Sequence, residues 1–569
     1  MRDVRHACRM LLRMPLLAAV VIVSLGVGIG ANTVVFSWIQ AVLIKPISGV
    51  RDAGAFHFIE PRTDTGIYVG TSWPEYRDLR DRLRSVTHLI AFRMAPLYVG
   101  EAGRVERGNG MLVSGNYFSA LELQPALGRL FTTGDTDRQV SDPIVVISYD
   151  YWQSRLGGNP RVVGQTLRVN GQRLTIVGVA PPGFQGTVMR LMFDMWLPAP
   201  LAPSLYNGSR EIEDRTIRGY TIIGKLAADA SRAHAQADID AAMGGMARAF
   251  PRTNTALRAE LLSFWEAPRG PQRLLATSLV ILQAITLLLL LAVCGNTANL
   301  VLARASARRR EMAVRLALGA KPWRIARLLL AESVLLGICG AVLGAALAVW
   351  GTNALSAVPP MRVRGIPITF HTAVDGGGLA VAVVLGLGCA LVFGLAPALK
   401  LARVDPQQLR AGPGSEPRSR LRNGLMAIEA ALAVIVLLVA GTFFRSFLST
   451  RQQDTGFRRD GILLAGYDLT GRRTDEASAR LFASRLLAKL RALPRVRGAA
   501  IAFAVPLDIH GLPTRFFSVD GRTRNDVAPD QALANTVTPG YFDVMGIPLI
   551  GGQDFAGLDD PAAPAQVVV

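Results

Sequence analysis

Two stretches of this chain, residues 14–44 and 274–303, contain no charged side chain. Written as helices rising about 1.5 Å per residue, both outreach the roughly 30 Å hydrocarbon layer of a bilayer. Such runs belong in lipid, with their ends projecting beyond it, because a soluble core has no room for uninterrupted apolar surface of that length. Three further runs are also long enough to cross, at 328–352, 376–399 and 423–447, with Pro397 expected to close the fourth span. A hydrophobic share of 50% and a mean hydropathy of +0.31 agree with an integral membrane protein. The first run is too long for the apolar region of a signal peptide, which covers only about 7–15 residues.

The net charge of +20 is not spread evenly. Residues 1–14, 303–327 and 400–422 supply +14 of it, and all three are short segments beside spans. Basic residues so placed mark the cytoplasmic side, and no basic surface interleaved with aromatics speaks for nucleic acid. The cysteines Cys8, Cys294, Cys339 and Cys389 fall in the N-terminal tail or in apolar runs, so the spacing offers neither a disulfide framework nor a CxxC site. Gly26, Gly28 and Gly30 follow no strand, and read as small-residue faces for helix packing rather than as a dinucleotide loop.

Between the first two spans, residues 45–272 have ordinary globular composition and lie outside the cell membrane by topology. Ser72, Pro74 and Glu75 form a capping box with proline in the first turn, predicting a helix through Tyr76, Leu79 and Leu83. Strands are predicted at 143–148 and 166–180, the latter turning at Asn170-Gly171, and a helix at 230–250. Gly219 to Leu226 has the outline of a phosphate-binding loop, but Leu226 stands where a hydroxyl is needed and Tyr220 to Ile223 are strand formers. It is expected to be a strand. The order thus reads as a tail (1–14), a span with an outward extension (15–44), the outer α+β domain (45–272), spans at 273–302 and 328–352 around a basic segment, a short outer loop (353–375), a fourth span, a Pro- and Gly-rich linker (400–422), a fifth span, and a second outer domain from 448.

The basic segment carries its own pattern. Met312 and Leu316 recur at helical spacing while Arg308, Glu311 and Arg315 occupy another face, Glu311 precedes Arg315 by one turn, and Gly319 suits a left-handed cap. Pro322 then opens the next helix. In the last span, Glu429 is an intramembrane carboxylate and so a functional candidate, close enough to a helix end to reach interfacial water or a linker arginine. Gln283, Asn296 and Asn299 are expected to join helices by hydrogen bonds.

The chain also repeats itself. Tyr117-Phe118, Leu123, Gly128 and Phe131 return as Tyr541-Phe542, Ile547, Gly552 and Phe555, at a constant offset of 424. The second copy stops within a predicted strand, so a parent about 260 residues longer is expected from the repeat offset.

The run from Arg308 to Ser333, together with the capped helix at 72–80 and the two Tyr-Phe motifs, resembles the MacB/FtsX superfamily of ABC transporter permeases. The duplicated layout is similar to the acidobacterial duplicated orphan permeases of that superfamily. The resemblance implies an integral membrane α-helical bundle, four transmembrane helices plus one from a second repeat, with large extracytoplasmic α+β domains in the bacterial inner membrane. It also implies a coupling helix that docks on a cytoplasmic ABC ATP-binding subunit through Arg308, Arg309, Arg310, Glu311, Met312, Arg315, Leu316, Leu318, Gly319 and Ala320. A periplasmic adaptor, an outer-membrane channel and a dimer or pseudo-dimer are further implied partners. No usable nucleotide loop, paired catalytic carboxylates or metal-spaced His/Cys set stands in a convincing context, so no cofactor or catalytic residue is expected and energy should come from a partner. Expulsion of an antibiotic, lipid or peptide is the leading reading; regulation of a periplasmic enzyme such as a cell-wall hydrolase, or a scaffold or sensor, are the alternatives.

Overall fold

The structure is a computed structural model describing residues 15–307, 322–356, 361–363, 366–368, 374–402, 420–469, 475–506, 514–517, 530–555 and 566–568, apart from 46, 51, 65, 102–103, 137–142, 189–190, 207, 256, 269–271 and 468. Its longer helices are α1 (Pro15–Ile39), α2 (Trp73–Arg82), α3 (Tyr149–Leu156), α4 (Arg232–Ala249), α5 (Gln272–Ala307), α6 (Pro322–Ser356), α7 (Gly376–Ala402), α8 (Arg420–Gln452) and α9 (Glu476–Arg491). The chain divides into a membrane unit holding α1, α5, α6, α7 and α8, and a second unit holding the polar segments at 47–270 and from 452 onward.

In the polar unit, eleven strands join in one mixed sheet: β1 (Phe56–Thr63), β2 (Thr71–Ser72), β3 (Val86–Glu101), β4 (Arg104–Val113), β5 (Leu127–Gly128), β6 (Ile144–Ile147), β7 (Thr166–Val169), β8 (Gln172–Val179), β9 (Met195–Pro198), β10 (Arg218–Leu226) and β11 (Leu257–Leu262). Their order is β11-β1-β10-β3-β4-β9-β6-β8-β5, with β2 on β10 and β7 beside β3 and β8. The pairs β4–β9 and β6–β8 are parallel, the rest antiparallel. Residues 219–226 lie in β10, flanked by β1 and β3, so they are strand and not loop. Asn170 (φ 48°) and Gly171 (φ 80°) turn β7 into β8 with both residues left-handed, as a two-residue hairpin requires. Tyr76 and Leu79 of α2 and Ile239, Met243 and Met246 of α4 belong to the buried core under this sheet.

The capping box at α2 is present in both directions: Ser72 Oγ accepts from the Glu75 N–H, and the Glu75 carboxylate accepts from the Ser72 N–H at 3.0 Å. Glu75 is 1% exposed and also accepts from both terminal nitrogens of Arg218, at 2.6 Å each, and from the Asn254 amide. A single carboxylate therefore ties α2 to β10 and to the turn after α4.

The sequence repeat is a structural repeat. The Tyr117 N–H donates to Ser114 O at 3.0 Å, and the Tyr541 N–H to Thr538 O at 3.2 Å. The Leu123 N–H donates to Phe118 O at 3.2 Å, and the Ile547 N–H to Phe542 O at 2.9 Å. Glu122 (φ 55°) and Gly546 (φ 65°) share a left-handed position, as do Gly128 (φ 69°) and Gly552 (φ 82°). Tyr117 and Phe118 meet edge-on at 5.2 Å and 84°, Tyr541 and Phe542 at 5.6 Å and 79°. Both copies thus fold the motif the same way although their flanking residues differ.

Beside the first copy, Asp135 accepts two bonds of 2.8 Å from Arg129 and one of 2.9 Å from the Thr132 N–H, and these hold its carboxyl below the usual carboxylate range. A depressed carboxyl stabilises the fold above its unfolded pKa of about 3.9, and that contribution disappears as pH falls through the lower folded value. Thermal unfolding of Arg129→Met against the native chain is expected to show a deficit at pH 6 that narrows on acidification below pH 4; a deficit independent of pH would discard this account.

Among the described residues of the membrane unit, four helices are long and apolar enough to cross: Pro15–Ile44, Leu275–Val301, Leu330–Leu355 and Met426–Gln452, and α7 adds the shorter apolar stretch Gly376–Val392. Pro397 does not end α7, contrary to the expectation from sequence; the helix continues to Ala402. A proline deletes one backbone hydrogen bond, which a membrane helix tolerates near its end where neighbouring groups and water re-satisfy the carbonyl.

Candidate coupling site in the membrane bundle

Helix α5 is described as far as Ala307 and α6 from Pro322, the first-turn proline expected there. Arg308, Arg309, Arg310, Glu311, Met312, Arg315, Leu316, Leu318, Gly319 and Ala320 lie outside the described residues. What the structure places is the bundle from which that segment emerges, and each contact in it follows from a residue type that the bilayer makes costly or permits.

The contact between α1 and α6 is made by glycine. A Cβ on Gly344 would lie 3.0 Å from Gly26 O and Gly30 N, and one on Gly30 would lie 3.0 Å from Gly344 O. Gly340 lies against Leu25, where a Cβ would stand 2.8 Å from Leu25 Cβ. Without Cβ atoms the two backbones touch, and dispersion over that surface replaces the hydrophobic drive that lipid does not supply. A similar approach joins α6 to α7, where a Cβ on Gly337 would lie 2.5 Å from Gly386 O.

The contact between α1 and α5 is polar. Asn32, 0% exposed, donates to Gly28 O at 2.9 Å and to Thr286 O at 2.8 Å, while Gln283 donates to Asn32 Oδ1 at 2.8 Å. In hydrocarbon an amide must find such partners or remain costly. Asn299, on the same helix, donates to Glu429 Oε1 of α8 at 2.9 Å. That carboxylate lies over Gly295, where a Cβ would stand 2.8 Å from Oε1. Glu429 therefore reaches α5, a partner not foreseen from its position near a helix end.

At the other end of the bundle, α1 passes into a π-helical turn, Gln40–Ile44. Asp375 caps α7, its Oδ1 accepting from the Gly377 and Gly378 N–H groups at 3.0 and 3.1 Å. Its Oδ2 accepts from Gln40 Nε2 at 2.8 Å and from Lys45 Nζ at 2.9 Å, and the Lys45 ammonium holds the Asp375 carboxyl below the usual carboxylate range. One carboxylate so ties the wound end of α1 to the start of α7. Glu332, 7% exposed within α6 beside the buried Ser333, was missed at the sequence level, although a glutamate inside an apolar run is the same signal that singled out Glu429.

Parts of both units match known families. Residues 18–242 match the model of the MacB-like periplasmic core domain, and residues 284–406 match that of the FtsX-like permease C-terminal domain, whose match includes 308–320. The probable syringafactin export ATP-binding/permease protein SyfD of Pseudomonas syringae pv. tomato is 24% identical over 295 residues, 52% of this chain and 40% of that protein. The pyoverdine export ATP-binding/permease protein PvdT of Pseudomonas putida is 28% identical over 351 residues, 58% of this chain and 48% of that one. The macrolide export ATP-binding/permease protein MacB of Bordetella avium is 25% identical over 283 residues, 49% and 39% of the two chains. The chain thus spans two fifths to about half the length of these relatives. Among solved structures, the periplasmic region of MacB from Actinobacillus actinomycetemcomitans is 13% identical, covers 39% of this chain and 92% of that one, and has a TM-score of 0.29.

Proposed function

Because this chain belongs to the MacB/FtsX type of ABC transporter permease, we propose that it is the membrane subunit of an export system in the bacterial inner membrane, driven by a separate cytoplasmic ATP-binding subunit. The observation that carries this reading is the continuity of α5 and α6 with the basic segment at 304–327, in a chain whose outer domain is inserted between α1 and α5. A subunit closing on ATP would push on Arg308 to Ala320, and α5 and α6 would carry that push along their axes. Glycine contacts make α6 follow α1, and the amide contacts make α5 follow α1 as well. Both connections to the outer domain, through α1 and through α5, would then move together. Work would cross the membrane as helix motion, with the cargo, an antibiotic, lipid or peptide, handled outside.

The test is co-purification from membranes with candidate ABC ATP-binding subunits, comparing the native chain with Glu311→Lys and Leu316→Asp and assaying ATP hydrolysis in the complex. The native chain is expected to retain an active ATPase, and each substitution to release it with at least a tenfold loss of captured activity. Capture of equal activity by all three chains would remove the coupling role from this segment. Capture by none would remove the transporter assignment and leave a basic loop that only orients the helices.

A further inference from the structure

The polar residues that α5 and α8 carry into the membrane leave one site incompletely bonded. Glu429 Oε1 accepts from Asn299 Nδ2 at 2.9 Å, over Gly295, whose missing Cβ makes room for the carboxylate. That bond fixes the amide, because turning Asn299 over would set its oxygen against the carboxylate. Asn299 Oδ1 is buried and has no hydrogen-bond partner among the described residues, and among them Glu429 Oε2 has no donor either. Asn296, one turn earlier on the same side of α5, is exposed. Asn299 lies two residues from Val301 and Glu429 three from Met426, about 3 and 4.5 Å inside their apolar spans. Those ends meet the basic segments at 303–327 and 400–422, so the site lies at the rim of one leaflet. Among the described residues, none in the apolar window of α8 is buried, against half in that of α1, so lipid reaches this rim from the α8 side.

We propose that Glu429 and Asn299 bind the primary ammonium of a lipid headgroup, phosphatidylethanolamine being the simplest such lipid. An ammonium brings a positive charge and three N–H donors with no acceptor, the complement of a free carboxylate oxygen beside an amide oxygen that lacks a donor. At this depth a cation tethered to acyl chains reaches the carboxylate from the headgroup layer, so no free ion has to enter the hydrocarbon. A choline headgroup brings the charge without a donor, and a glycerol headgroup brings donors without the charge. Bound there, the lipid would fill the rim between α5 and α8 and hold α8 to the helix that leads into the basic segment. The site stands whether or not an ATPase docks on that segment.

The experiment is native mass spectrometry of the full-length chain released from detergent micelles that hold equal amounts of dioleoyl phosphatidylethanolamine and dioleoyl phosphatidylcholine. The native chain is expected to retain the ethanolamine lipid over the choline lipid by about tenfold, the scale of one hydrogen bond to a charged group, with singly and doubly methylated headgroups falling between. Glu429→Gln should bring the two lipids to near equal retention. Its amide can donate to Asn299 Oδ1 while still accepting from Nδ2, so the helices stay joined and the loss is not one of folding. Asn299→Ala, which removes the unpartnered oxygen and leaves the carboxylate, should lower the preference in part and serves if the first variant fails to fold. Glu106→Gln, the same charge change at an exposed residue of β4, should keep the native preference. Equal retention of both lipids by the native chain, or an undiminished preference in Glu429→Gln, overturns the proposal. Displacement of the lipid by an equal concentration of soluble phosphoethanolamine would give the site to a free amine and overturn the lipid assignment.

Discussion

Replacing Arg218 by methionine is expected to lower the stability of the outer domain by about 3–5 kcal/mol, the usual cost of leaving one member of a buried ion pair alone. Glu75 is 1% exposed, and Arg218 supplies two of its charge-assisted bonds, at 2.6 Å each. The same guanidinium also donates to Gly70 O at 3.3 Å and to Thr253 O at 3.2 Å, so its loss frees backbone carbonyls as well. Methionine retains much of the aliphatic stem, which isolates the charge. Adding Glu75→Gln to Arg218→Met should recover part of the loss, because the orphaned charge is then gone while the cap can still accept. Arg155→Met is the control: its bond to Glu106 is exposed on both sides, and exposed pairs are worth about 0–1 kcal/mol. Thermal unfolding of the purified full chain followed by near-ultraviolet circular dichroism separates these cases. If Arg218→Met unfolds with Arg155→Met, the buried network does not anchor α2.

Gly344→Leu is expected to disrupt the α1–α6 contact, with a cost at or beyond the upper end of the about 1–3 kcal/mol typical of overpacking. Its Cβ would meet Gly26 O, Gly30 N and Ile29 Cβ at 3.0 Å, and backbone atoms of a straight helix have no rotamer by which to move aside. A gradient across positions tests the mechanism. The atoms nearest a Cβ on Gly26 belong to the Leu343 side chain, two of them at 2.8 Å on its movable end, so Gly26→Ala should cost less than Gly344→Ala, whose nearest atoms include backbone. A Cβ on Gly351, on the same helix, would meet nothing within 4 Å, and Gly351→Leu should unfold in detergent at the native temperature. Equal losses at Gly344 and Gly351 would show a propensity effect on α6 and no close approach.

Both sites contrast what is local with what is not. The capping box at Ser72, the Asn170-Gly171 turn and the strand at 219–226 were legible because each depends on residues within a few positions of one another. The repeat was legible too, because its aromatic residues and left-handed positions recur at a constant offset. The end of α7 was misread. Pro397 breaks a helix in water more readily than one in a bundle, and no sequence window contains the bundle in which this helix continues to Ala402.

Length and composition by themselves determined that this chain is a membrane protein with several apolar helices long enough to cross, since the bilayer imposes one requirement on every residue in turn. Which helices touch was decided only by tertiary structure. Asn32 could have bonded any passing carbonyl, and Glu429 any donor at its depth. Contacts between helices depend on rotation and height in the bundle, and those are fixed jointly by glycine faces that touch backbone to backbone and by polar groups that reach partners on a neighbouring helix.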